Sequence, residues 1–225
     1  PDPSRSSFYT SLGASWETKR FSITDTLLNV VMREKVAYGN PAPARNRLSP
    51  SVSASVKPFS DIDLRFRLSF RDGYRIPTFN DLYYARVGNK SLEPEKAKQY
   101  NAGITFSSAI GEGNSIAATV DYYHNDVRDK IVAIPTLFIW KMLNMGKVAT
   151  DGVDAGISAY IFIADIIKMD ISAAYSFQHA IDVTNPNSKT YRHQIPYTPR
   201  HSGNASLTLL NKWVNLNYSL IASGR

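Results

Sequence analysis

A two-residue period constrains this chain more than any other feature. In Leu64-Arg65-Phe66-Arg67-Leu68-Ser69-Phe70-Arg71 every second side chain is apolar, and three arginines and a serine fill the gaps. A β-strand turns successive side chains to opposite faces, so this segment has one apolar face and one wet face. The same alternation returns along the chain. Ile116, Ala118, Val120 and Tyr122 alternate with Ala117, Thr119, Asp121 and Tyr123; Val153 to Ile161 and Ile171 to Phe177 follow suit, as do Val214 to Leu220. Phe8 to Trp16 and Val52 to Val56 are weaker examples. The run from Phe21 loses phase at Asp25 and doubles its apolar residues at Leu27-Leu28 and Val30-Val31, which is the pattern of a bulge. About ten strands are expected. One helical turn is expected within 93–100, because Pro94 suits a first helical position.

The links between these strands alternate in length. Those at 17–20, 57–63, 107–114, 163–167 and 211–212 are short, whereas 34–47, 72–98, 125–146 and 179–199 are long, with part of 125–146 open to being an extension of its strands. Short and long in turn describe an up-and-down antiparallel sheet with one plain end and one elaborated end. Aromatics flank the short links: Trp16, Phe21, Phe59, Phe106, Phe162 and Trp213. Amphipathic rings settle at headgroup depth, so they read as a girdle at a membrane interface. Phe138, Ile139 and Trp140 read as the opposite, outer belt. Charge is segregated too. The long links, counted as 34–47, 71–98, 124–147 and 179–200, carry 16 Lys and Arg against 8 Asp and Glu, while positive and negative cancel over the short links, the fourth counted as 163–168. The overall balance is +7, so the elaborated end holds essentially all of it. Attraction of an anionic ligand or of anionic headgroups follows; nucleic acid would need a denser basic patch.

Two architectures accommodate alternating strands. In a soluble β-sandwich the apolar face packs on a second sheet. In a transmembrane barrel it faces lipid. The barrel is favoured because the apolar faces are rich in Ala, which makes a smooth wall and a poor jigsaw. Runs such as 115–125 and 147–162 also reach the roughly 9–11 residues that span a bilayer on a tilt. No stretch approaches the 18 or so consecutive apolar residues of a membrane helix. The chain opens on the polar Pro1-Asp2-Pro3-Ser4-Arg5 and stops straight after a strand-like run, so it reads as a slice of a larger wall. It contains no Cys, which removes disulfides, thiolate metal sites and a thiol nucleophile.

After the clearest strand comes Phe70-Arg71-Asp72-Gly73-Tyr74-Arg75-Ile76-Pro77-Thr78-Phe79-Asn80-Asp81-Leu82-Tyr83-Tyr84, then Gly88-Asn89-Lys90-Ser91-Leu92-Glu93-Pro94-Glu95 and a strand opening through Tyr100 and Gly103. Further on stand Tyr122 to Val132, Asn144-Met145-Gly146 leading to Asp151-Gly152-Val153-Asp154, and Tyr197-Thr198-Pro199-Arg200-His201. In order and spacing this resembles the TonB-dependent outer-membrane receptors, whose strand ends in an aromatic, a small residue and Arg-x-Pro, followed by Asp-Leu-Tyr and Asn-x-x-Leu-x-Pro-Glu. The resemblance covers nearly all of 47–225. It implies an all-β, transmembrane, antiparallel up-and-down barrel of roughly 22 strands around a plug. Residues 1–225 would be about ten of those strands, with the plug, the first strands and the last strands lying outside the chain. It implies residence in the outer membrane of a Gram-negative bacterium and contact with its lipid. The implied function is binding of a scarce nutrient for import energised by TonB-ExbB-ExbD through the plug. The region 74–100 looks most like the vitamin B12 and ferric-complex receptors, so cobalamin and a ferric siderophore or haem stand side by side as ligands. Two other readings remain open: a soluble or secreted β-sandwich that binds carbohydrate or peptide, and a passive porin.

No catalytic motif emerges. The histidines at 124, 179, 193 and 201 lack metal spacing, and no nucleophile elbow, phosphate loop or dinucleotide fingerprint is present. A binding protein without enzymatic activity or cofactor is expected, with its contacts in the long links, which vary freely on a rigid wall. Arg75, Tyr83, Tyr84 and Arg86 are the first candidates, and Tyr191 and Arg192, with His193 and Gln194, the second. Tyr and Arg give contact area and charge-assisted hydrogen bonds to a bulky, partly anionic ligand. Arg75 and Pro77 also read as pins for the start of their loop, and for these two the pinning role is favoured.

Overall fold

A computed structural model describes residues 3–135, 139–163, 166–196 and 198–224, the side chains of 134, 135 and 145 excepted. Ten antiparallel strands follow one another in chain order within one sheet: β1 (Pro3–Glu17), β2 (Phe21–Val36), β3 (Arg45–Val56), β4 (Asp63–Arg75), β5 (Glu95–Ala109), β6 (Ser115–Pro135), β7 (Trp140–Ile163), β8 (Ile167–Asp182), β9 (His201–Asn211) and β10 (Asn215–Gly224). A five-residue helix, α1 (Phe79–Tyr83), lies between β4 and β5. The up-and-down order is the expected one. Among the described residues no second sheet covers the apolar face, which removes the sandwich.

Paired residues point the same way, so the register assigns every side chain to a face. One face carries Leu12, Ile23, Val52, Leu68, Ala102, Tyr122, Val153, Phe177 and Leu220, and many of these are exposed. The opposite face carries Ser, Thr, Asn, Arg and Asp, bridged from strand to strand. Ser22 meets Ser55 at 2.8 Å and Ser172 meets Ser206 at 2.7 Å. Asn217 donates to Thr208 at 2.8 Å, and Asn101 to Ser69 at 3.1 Å. Arg67 reaches across β5 to the Asp121 carboxylate at 2.8 and 2.9 Å. Gly103 is paired with both residues, and a Cβ there would overlap that carboxylate. An apolar outside and a polar inside is the section of a membrane barrel wall.

Four expectations are corrected. The helical turn falls at Phe79–Tyr83, and 95–100 belongs to β5. The loss of phase in β2 is not a bulge: its register with β1 and β3 is unbroken. Instead, Val30 and Met32 turn inward and are buried, while Leu27 and Val31 face out, so each doubled pair serves both faces. Most of the long link 125–146 does extend its strands, since β6 and β7 stay paired to Pro135 and Trp140. Above a membrane both faces are wet, and the alternation that betrays a strand disappears. Ile139 and Trp140 therefore sit at the tip of this tall hairpin, far from an interfacial belt, and Phe138 lies outside the described residues. In the plain-end girdle, Trp16, Phe21 and Phe106 share the outer face and Phe59 and Trp213 project from turns, but the register puts Phe162 on the inner face. Ala164 and Asp165 of the short link before β8, and Tyr197, lie outside the described residues.

Candidate functional site at the elaborated end

The segment from Arg75 to Glu95 forms a strap held to both of its neighbours. Pro77 has no N–H to extend the ladder, so β4 stops. Thr78 then caps α1: its hydroxyl accepts from the Asp81 N–H at 3.2 Å, and the Asp81 carboxylate accepts from the Thr78 N–H at 2.8 Å. The chain reverses where the carbonyl of Tyr84 accepts the N–H groups of Val87 at 3.2 Å and Gly88 at 2.8 Å. Arg86 there has φ 68°, and a Cβ on Gly88 would overlap the backbone of Leu82 and Tyr84. Asn89 donates its amide to the Met142 carbonyl at 3.1 Å, and the Met142 N–H returns to the Val87 carbonyl at 3.1 Å. Asn144 closes the far end: its side chain accepts from the Glu93 N–H and donates to the Glu93 carbonyl, both at 2.8 Å. Leu92 is wholly buried, in a cluster with Ala42, Leu82 and Ile131 that Tyr83 and Met142 border.

Charge fastens the strap to β1, β2 and β3. The Tyr83 hydroxyl donates to Glu34 at 2.6 Å and accepts from the Ala42 N–H at 2.9 Å. Burial pushes this phenol up, and the neighbouring Glu34 carboxylate adds to the effect. Arg5 donates to Glu34 at 2.9 Å and to the Pro77 carbonyl at 2.7 Å, and its guanidinium lies 4.8 Å from the centre of the Phe79 ring. Arg45 donates to the Leu92 carbonyl and pairs with Glu93 at 3.2 Å. Arg75 grips Glu95 through two bonds of 2.9 and 2.8 Å and stands 3.5 Å from Asp81. Burial works to raise the Glu95 carboxyl, but the Arg75 bonds and the Ile131 N–H at 2.7 Å outweigh it and hold it below the ordinary glutamate range.

The link after β8 folds back on its own strand. Arg192, at φ 60°, gives its N–H to the Asp182 carbonyl at 2.7 Å; the Asp182 N–H goes to the His193 carbonyl at 3.0 Å, and that of Ile195 to Ala180 at 2.9 Å. Hydrogen bonds from Thr184 and then Thr190 hold the Asp182 carboxyl low.

Of the candidate ligand residues, Arg75, Tyr83, Tyr84 and Arg86 come together on the strap. The first two have internal partners. Tyr84, 62% exposed, and the exposed Arg86 stand at the reversal. Half-buried Tyr191 and exposed Arg192 belong to the other link, and among the described residues no hydrogen bond, ion pair or ring contact joins the two groups. Glu34 escaped the sequence reading because nothing local marks a glutamate near a strand end as the anchor of a tyrosine 49 residues away. Such an end presents phenol and guanidinium groups on a loop held rigid from below, a surface suited to a large, partly anionic ligand.

A family model described as TonB dependent receptor-like, beta-barrel matches residues 6–225. The vitamin B12 transporter BtuB of Vibrio vulnificus is 29% identical over 114 residues, which is 50% of this chain and 17% of that protein. The iron-regulated outer membrane virulence protein of Vibrio cholerae is 26% identical over 145 residues, 58% of this chain and 21% of that protein. Among solved structures, the copper transporter OprC superposes with a TM-score of 0.74 at 16% identity, covering 98% of this chain and 34% of that one, a likeness of fold. The chain thus spans about a fifth of the curated relatives it matches.

Proposed function

The chain belongs to the TonB-dependent receptor β-barrel family, and from that membership we propose that it is part of the wall of an outer-membrane importer for a scarce nutrient, either cobalamin or a ferric siderophore or haem complex. Residues 1–225 supply ten strands of a larger barrel in a Gram-negative outer membrane. A plug outside this chain receives energy from TonB-ExbB-ExbD and opens the path. The observation that carries the reading is the pinned strap at the elaborated end, where Arg75 and Tyr83 hold the loop through Glu95 and Glu34 while Tyr84 and Arg86 are left outward for ligand. Tyr191 and Arg192 supply a second group of contacts from the link after β8. The names of the relatives, a B12 transporter and an iron-regulated outer membrane protein, support the two ligand classes. The porin reading gives way to the family match.

The test is binding of the full-length protein, purified in detergent, to cyanocobalamin, a panel of ferric siderophores, and haem. Tight binding to one of them, weakened at least about tenfold, or about 1.4 kcal/mol, by the combined Tyr84→Ala and Arg86→Ala changes, is the expected result. Binding to none of them overturns the ligand assignment.

A further inference from the structure

The outer face changes character toward the elaborated end. In β5, β6 and β7 the register aligns Ala102, Tyr122 and Val153; one step higher stand Tyr100, His124 and Asp151. Above these, Lys98 faces Asp126, and then Lys96, Arg128 and Lys147 form one row across three adjacent strands. Like charges placed directly opposite one another repel, so this row costs the sheet stability unless something outside it compensates. The acids nearby are occupied. Asp72, opposite Lys98 on β4, takes Arg47 at 2.7 Å; Asp151 takes His124 at 2.8 Å, with Asp126 on the other side of that ring at 3.6 Å, and Asp129 takes Lys96 at 3.3 Å. Lys98, Arg128 and Lys147 are exposed, and among the described residues none of them makes an ion pair.

The height of the row decides what it meets. Lys96 lies ten residues up β5 from Phe106, a girdle residue at the plain end. Ten residues of strand are roughly 33 Å, and a tilt of about 45° leaves roughly 24 Å along the membrane normal. The apolar band of such a wall is about 25 Å tall. The row therefore sits where the acyl chains of the outer leaflet end and the headgroups begin, with the exposed rings of Tyr100 and Tyr122 just beneath it. These strands lie in the middle of the sheet, so their outer face is turned to lipid rather than to another part of the wall.

We propose that Arg128 and Lys147, with Lys98 beside them, seat the phosphate of an outer-leaflet glycolipid headgroup against β5, β6 and β7. Arg128 supplies the planar fork that grips a phosphate through two hydrogen bonds and Lys147 a second point charge, while Tyr100 and Tyr122 bear on the sugar and the upper acyl chains. The lipid thereby supplies the counter-charge that the sheet lacks. The proposal rests on the outer-membrane reading above but not on the identity of the nutrient.

The experiment uses full-length protein in dodecylmaltoside, titrated with diphosphorylated lipid A and, in parallel, with lipid A from which both phosphates have been removed, bound lipid being counted by native mass spectrometry. The combined Arg128→Gln and Lys147→Gln changes are expected to weaken binding of the phosphorylated lipid by about thirtyfold, and Arg128→Lys to recover only part of that loss. Lys35→Gln, on the outer face of β2 away from the row, is expected to bind as the unaltered protein does. Equal binding of the two lipids, or unchanged affinity in the double variant, overturns the proposal. Nutrient binding, measured on the same samples, stays unchanged in the double variant, so a failure of this seat is distinct from a failure of the import reading.

Discussion

Leu92 holds the strap down from beneath, and its truncation is the most direct probe of how rigid the elaborated end is. Leu92→Ala removes a wholly buried side chain from a cluster of four, and the opening of the strap is expected to become easier by about 2–3 kcal/mol, the lower part of the range for such changes because the cluster is small. Amide exchange at Asn89 and Met142, both bonded across the strap, reads that opening directly. Glu95 tests the same device through pH. Its folded carboxyl lies below the ordinary range, so the Arg75 clip holds in full from neutral pH down to that range and is lost as pH falls on through the lowered folded value. The Ile131 amide resonance should follow this transition, and Glu95→Gln should abolish it; a resonance that ignores pH in the unaltered protein refutes the clip. Much of this site was legible as types of residue. Arg75, Tyr83 and Tyr84 stand out in a line of text, and so does the pinning role of Pro77. What could not be read was the partnership: Tyr83 ends on Glu34, and Asn144 on Glu93, through contacts that only the assembled sheet creates.

At the scale of a strand, the register makes neighbouring positions opposite experiments. Ile157 faces out and Ser158 faces in on β7. Ile157→Arg should cost about 2–4 kcal/mol if it lies near the middle of the bilayer, whereas Ser158→Arg enters a wet interior at little cost. Urea unfolding of the protein folded into lipid vesicles measures both, and equal costs would contradict the face assignment. Strands inside the membrane announce themselves because lipid demands strict alternation. That is why β4 and the lower part of β7 are plain in the sequence. The upper halves of β6 and β7 are hidden because water on both sides imposes no such rule. The helix was missed for a related reason. Pro94 carries a helix-start signal, but Glu93 and Glu95 beside it are committed to Asn144 and Arg75, while in the weaker Thr78-x-x-Asp81 pattern each side chain is placed to accept the other residue's backbone N–H.

For the whole molecule, an apolar outer face and two unpaired edges, β1 and β10, make the isolated chain a poor citizen of water. In detergent-free buffer it should sediment as aggregates or self-associated species; a monodisperse monomer by light scattering would contradict this reading. The register described above also predicts where such a gene tolerates growth. From β1 to β10 no strand pair slips within its paired run, so each side chain's orientation depends on the parity of the residue count before it. One codon added inside β4 would invert every later position of that strand, sending arginines toward lipid and leucines inward, and one inside β8 would likewise exchange its apolar and polar rows, while two codons would restore the order. The same single codon in the link after β8 changes no parity at all. A library of one-codon and two-codon insertions, scored for protein that reaches the envelope, should therefore show a frame of two within the strands and none in the links.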